Sequence, residues 1–174
     1  ERLDERIGHY LASETIPELY RRILKRYEED YERDRPGLVR DAMTLLWAAR
    51  RGLSEAELLE MLGDPNGPLP QAHWSPLFLA AEAALVSRSG LLGFAHDYVR
   101  EAVREECLPS EAAQRSAHLA LADYFETQPL APRKVDELPY QLARAEAWSR
   151  LKECITDLEM FLALHTETKK YELL

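Results

Sequence analysis

The chain has 174 residues, 46% of them apolar and 30% charged, with a net charge of −9. That length supplies one ordinary core or two small ones, and the acidic balance repels nucleic acid and anionic lipid unless a local basic patch overrides it. No apolar run approaches the roughly eighteen residues of a membrane span. The two cysteines, Cys107 and Cys154, make neither a disulfide framework nor a zinc site, which points to a reducing, cytoplasmic setting.

Helical periodicity dominates. Over 14–33 the apolar residues Ile16, Leu19, Tyr20, Ile23, Leu24, Tyr27 and Tyr31 follow the i, i+3, i+4, i+7 rule. The opposite face mixes Arg21, Arg22, Lys25 and Arg26 with Glu28, Glu29 and Asp30, the pattern of a solvated helix rather than a nucleic-acid patch. Pro36-Gly37 closes this segment. A helix over 38–51 follows, burying Ala42, Leu45, Leu46 and Ala49 and ended by Gly52. Ser54 caps the next, with Glu57 at the capping-box position, Leu58, Leu59 and Leu62 on the apolar side and Gly63 after it. A third helix is expected over 70–84, with Trp74, Leu77, Phe78 and Ala81 inward. Two extended runs, 85–88 and 91–95, flank Ser89-Gly90, a plausible two-residue hairpin turn.

Three helices followed by a β-hairpin is the order of a winged helix. The spacing then predicts a helix over 97–107 opened by Asp97, whose side chain suits the first turn. Further helices are expected over 110–127, 137–145 and 147–156, and another begins at 157–165. The last pairs read as helical hairpins at the start of an α-solenoid. The fold class expected is therefore mainly α: an N-terminal helical linker segment (1–36), a winged-helix domain (37–108) and a helical, TPR-like section (109–174). The chain opens on Glu1 and stops within an apparent helix at Tyr171-Glu172-Leu173-Leu174, the look of a piece cut from a longer protein.

Enzymatic chemistry finds little support. The sequence holds no Gly-rich phosphate loop with its lysine, no G-x-S-x-G and no H-E-x-x-H. Glu101, Glu105 and Glu106 interleave with Arg100 and Arg104 as a charged face. His9, His73, His118 and His165 stand singly, as surface or half-buried residues. The third helix carries no Lys or Arg, and the wing offers only Arg88, whereas a duplex reader needs several phosphate contacts and base-edge donors. His96 is different. It sits where a strand turns into a helix, well placed to face a neighbouring domain or a phosphate. Period-2 alternation, however, puts it on the face of Leu92 and Phe94, which gives a core histidine bonded to a backbone carbonyl.

Phe94-Ala95-His96-Asp97-Tyr98 is similar to the "MHD" motif of STAND-class NTPases, the NACHT and NB-ARC proteins. Leu53-Ser54-Glu55-Ala56-Glu57-Leu58-Leu59, Trp74-Ser75-Pro76-Leu77, Leu121-Ala122-Asp123-Tyr124-Phe125 and Glu137-Leu138-Pro139-Tyr140-Gln141-Leu142 follow in matching order. Across 37–164 the chain most resembles the nephrocystin-like NACHT–TPR branch. The resemblance implies that His96 contacts the phosphate of ADP held by an N-terminal NTPase domain, with Phe94, Asp97 and Tyr98 as supporting motif residues. Ala95 departs from the motif's usual Met or Leu.

The implied function is a non-catalytic regulatory module. It clamps the ADP-bound domain and relays its state to C-terminal repeats, with ADP or ATP and Mg in the parent protein and no metal or catalytic residue in this chain. Its partners would be that NTPase domain, the repeats, and other proteins or further copies on activation, without nucleic acid or membrane. The alternatives are a protein–protein scaffold that makes no nucleotide contact and a winged-helix DNA binder.

Overall fold

The computed structural model describes residues 13–166, which are mainly helical. The chain divides into two compact units. Among the described residues one holds 13–47 together with Arg51–Pro109, and the other holds Ala48–Arg50 with 110–166.

The first unit begins with α1 (Ile16–Tyr31), capped by the Thr15 hydroxyl, which accepts the Glu18 N–H at 3.3 Å. It is shorter at both ends than 14–33. At its C-terminal end Glu32 leaves the helix, and its carboxylate accepts the N–H groups of Gly37 and Val39, both at 2.9 Å. Glu32 thereby satisfies orphan donors at the start of α2 (Leu38–Ala48). Leu24 and Tyr27 of α1 are buried, and the Tyr27 hydroxyl donates to the Ala80 carbonyl at 2.6 Å. The segment expected as a linker thus contributes core to this unit.

After α2 comes α3 (Glu55–Leu62). The Ser54 hydroxyl accepts the Glu57 N–H at 3.2 Å while the Glu57 carboxylate accepts the Ser54 N–H at 2.7 Å, the reciprocal box expected from the spacing. The third helix of the expected trio, α4 (Gln71–Ala80), stops four residues before 84. Ala81–Ala84 turn instead, because the Ala84 carbonyl accepts the Ala95 N–H at 2.9 Å and Leu85 enters a strand. Trp74, Leu77 and Ala81 are fully buried. Strands β1 (Leu85–Arg88) and β2 (Leu91–Phe94) pair antiparallel, Leu85 opposite Phe94 and Arg88 opposite Leu91. Ser89 and Gly90 both have positive φ (53° and 80°), the signature of a type I′ two-residue turn.

Leu53 adds a bridge to this hairpin, its N–H donating to the Leu92 carbonyl at 3.0 Å and its carbonyl accepting the Leu92 N–H at 2.7 Å. Gly52, at φ +99°, makes that approach possible: a Cβ there would lie 2.2 Å from the Leu92 carbonyl oxygen. Next, α5 (Asp97–Cys107) buries Val99, Ala102, Val103 and Cys107. Its acids meet the basic side of α1, Glu105 at 3.7 Å from Arg21 and Glu106 at 3.7 Å from Lys25, exposed pairs of small energetic weight.

The second unit contains α6 (Glu111–Thr127), α7 (Pro132–Arg144), α8 (Trp148–Thr156) and α9 (Leu158–Thr166). The Ser110 hydroxyl caps α6 by accepting the Ala113 N–H at 3.2 Å. Helix α7 starts five residues before the expected 137. Pro132 occupies its first turn, where a missing N–H costs nothing and the fixed φ suits a helix. The chain leaves α7 with the Ala147 N–H on the Leu142 carbonyl at 2.9 Å and Glu146 in the left-handed region at φ 57°. Leu121, Phe125, Val135, Leu138, Leu142, Met160 and Leu164 form the core. His9 and Tyr171–Leu174 lie outside the described residues.

Gly52→Ala is expected to destabilise the protein by about 2–3 kcal/mol or more, since both the positive φ and the Leu92 carbonyl oppose a methyl group. Gly90→Ala, at a positive φ with open space around it, should cost only about 1 kcal/mol. Urea unfolding of the two variants measures the difference.

Candidate functional site

His96 is the N-cap of α5, not the core residue that alternation suggested, and Asp97 follows it as the first helical residue. The correction has a simple cause. Leu92 is buried and Phe94 half-buried, and β2 ends at Phe94, so the chain has left the ladder before His96 and its side chain is exposed. The His96 carbonyl accepts the Val99 N–H at 3.1 Å, while its imidazole makes no capping bond. The ring instead stacks on Tyr98, centroids 4.8 Å apart and planes 18° apart. Tyr98 in turn meets Tyr20 of α1 at 5.5 Å. Burial, and then the neighbouring Tyr98, raises the Tyr20 phenol above its ordinary range, so this end of the aromatic row stays neutral. His96 and Tyr98 are therefore brought together. Phe94 belongs to the hairpin opposite Leu85, and Asp97 is exposed in the first turn, where its charge suits the helix dipole.

The second unit holds a polar cluster that sequence reasoning missed. His118, expected at or near the surface, is 1% exposed, and Glu137 and Gln141 are fully buried. The Gln141 amide is the hub. Its Nε2 donates to Glu137 Oε2 at 2.8 Å and to the Ala48 carbonyl at 3.0 Å, which leaves Oε1 to accept from His118 Nδ1 at 2.7 Å. His118 must therefore carry its proton on Nδ1 in the neutral form. Glu137 Oε2 also accepts the Arg50 N–H at 3.2 Å, and Arg133 lies 3.4 Å from Oε1. The Arg50 guanidinium donates to the Asp136 side chain at 3.1 Å and sits over the Tyr140 ring at 5.5 Å. These bonds explain why the helix ending at Ala48 does not continue to Arg51: the Ala48 carbonyl and the Arg50 N–H both have side-chain partners. Signals for the cluster did exist. Glu137 and Gln141 are four residues apart on the stripe of Leu138 and Leu142, and His118 lies on the stripe of Leu121 and Phe125.

Neither cysteine is activated. Burial pushes the Cys107 thiol up to about 11 against the opposing charge of Arg40, and burial likewise pushes Cys154 to about 11 against Lys134. Among the described residues no three His, Cys, Asp or Glu side chains are grouped to hold a metal ion, and no helix is long and apolar enough to cross a membrane.

No protein-family model matches the chain, and no solved structure matches it. Named proteins do. Over all of this chain it is 36% identical to a TPR repeat-containing protein of Dictyostelium discoideum. Over 87% and 86% of its length it is 29% and 28% identical to tetratricopeptide repeat protein 41 of Mus musculus and of Rattus norvegicus. The chain is thus similar to proteins named for helical repeats. It spans 10% of the length of the first and 14% of each of the others.

Gln141→Leu removes the side-chain donor to the Ala48 carbonyl, the acceptor facing His118 Nδ1 and one of the donors to Glu137, and should cost about 3 kcal/mol in chemical unfolding. Alkylation of Cys107 and Cys154 at pH 8 should run about a hundredfold slower in the folded protein than in the unfolded chain. The folded-state rate should still be rising at pH 10, followed by mass spectrometry at each residue.

Proposed function

We propose that this chain is a non-enzymatic, protein-interacting module of a longer helical-repeat protein, working in the cytoplasm. The observation that carries the reading is the 36% identity along the whole chain to a protein named for TPR repeats. The build of the second unit supports it: four helices in succession, joined by connections no longer than the four residues of 128–131. Helices of this kind present side chains to other proteins on a rigid frame. The polar groups most strongly placed in that unit, Gln141 and Glu137, are used up in holding backbone.

The exposure of His96 favours a second reading. Here the helices α2 to α4, the hairpin and α5 act as a winged helix in a regulatory module of a STAND NTPase. His96, held by its stack on Tyr98 at the N-terminal end of an 11-residue helix, donates an imidazole N–H to a phosphate of ADP bound by a domain outside this chain. Protonation of the ring strengthens such a bond.

One experiment separates the two. The full-length protein is purified, denatured and assayed for released ADP, with His96→Ala in parallel, and its partner proteins are recovered with and without added nucleotide. Partner binding unaffected by nucleotide, with equal ADP content in both forms, is the expected result for the interaction module. ADP carried by the parent and lost from His96→Ala would replace that reading with the regulatory clamp.

A further inference from the structure

Helix α9 is apolar on two sides. Met160 and Leu164 point into the core of the second unit, 4% and 7% exposed. Leu158, Phe161 and Leu162 form a separate stripe at i, i+3 and i+4 and are 69%, 57% and 53% exposed. Trp148, at the start of α8, adds a large exposed indole at 62%, and α8 buries none of its residues. A helix at the surface of a finished domain needs one apolar stripe, whereas a helix that is apolar all round belongs inside a stack. With Ile155 at 37%, five large apolar side chains are exposed on two consecutive short helices, a concentration of the kind that marks an interface.

We infer that the face of α8 and α9 bearing Trp148, Leu158, Phe161 and Leu162 is the seat of a further amphipathic helical hairpin from the same polypeptide. That hairpin would pack on α9 from the side opposite Met160 and Leu164. The inference rests on the reading of this chain as part of a longer helical-repeat protein. Two observations choose the occupant. The face continues the packing already present, since α9 contacts both α7 and α8 through its other side, and repeats bury their cores by stacking neighbours in this way. The named relatives are also proteins of TPR type that are several times longer than the matched region. The rim gives the occupant's chemistry. Glu153, Asp157 and Glu159 are exposed beside the apolar stripe, with Lys152 as the one fully exposed Lys or Arg on the two helices. The seated hairpin therefore carries an apolar stripe bordered by basic residues.

The test uses the purified full-length protein carrying Leu162→Cys, a mild change at an exposed position. Maleimide labelling at residue 162 is followed by peptide mass spectrometry and normalised to the rate after unfolding in guanidinium. The expected result is protection of about tenfold or more that does not change on dilution, because a hairpin in cis uncovers the site only by local opening. Labelling at the unfolded rate would mean an open face and would overturn the inference. Protection lost on dilution would assign the face to a second copy, and protection gained only when a partner protein is added would assign it to that partner, and either overturns it too. Nucleotide-dependent partner binding with residue 162 still protected would sink the interaction reading and leave the hairpin in place, so the two failures are distinguishable.

Discussion

The first unit depends on a close approach of two backbones. The chain passes Gly52 so near to Leu92 that no side chain fits between them, and Leu53 then exchanges both of its backbone bonds with Leu92. That pairing ties the segment before α3 to the hairpin and sets where β2 lies. The end of β2 is fixed in turn by the Ala95 N–H on the Ala84 carbonyl. From there two residues, Ala95 and His96, separate β2 from α5. The position of the exposed imidazole therefore follows from a glycine some forty residues earlier in the chain, with the type I′ turn at Ser89-Gly90 supplying the register between them.

The second unit is governed by a different balance. Burying a carboxylate, a carboxamide and an imidazole costs several kcal/mol unless their bonds are nearly all made. Here Gln141 uses both ends of its amide, and Glu137 is shared between the Arg50 N–H, the Gln141 amide and Arg133. Such a network adds less to net stability than an apolar core of the same volume would. What it adds is geometric: the bonds to the Ala48 carbonyl and the Arg50 N–H come from Gln141 and Glu137, so side chains distant in sequence hold the place where the helix gives way to turn. The same demand explains the burial of His118, whose Nδ1–H is the donor that the Gln141 oxygen requires.

Elements governed by local chemistry were legible in the sequence. The Ser54/Glu57 box, the Ser89-Gly90 turn, the limits of α5 and the Ser110 cap all depend on residues within a few positions of one another. Helix ends set by long-range bonds were not. The stop at Ala48 needs Gln141, and the stop at Ala80 needs the strand that follows. The helix expected over 137–145 begins instead at Pro132, since proline in a first turn is compatible with a helix. Of the candidate site, the junction of strand and helix at His96 could be placed from sequence, but its exposure could not. Alternation gives the face of a strand and is silent on where the core stops.

The two histidines illustrate what this means for function. Both lie on apolar stripes of the sequence, but only His118 follows its stripe into the core, whereas His96 is exposed. His118 is sealed in, its Nδ1 donating to an amide that has no other donor for that oxygen, so it is committed to structure. His96 takes no part in capping, and its ring rests against Tyr98 with its exposed face turned to solvent. An imidazole held by stacking keeps its nitrogens available while losing rotamer freedom, which lowers the entropic cost of meeting a ligand. Tyr98 is braced in its turn by Tyr20 of α1, so α1 and α5 jointly fix the orientation of the ring.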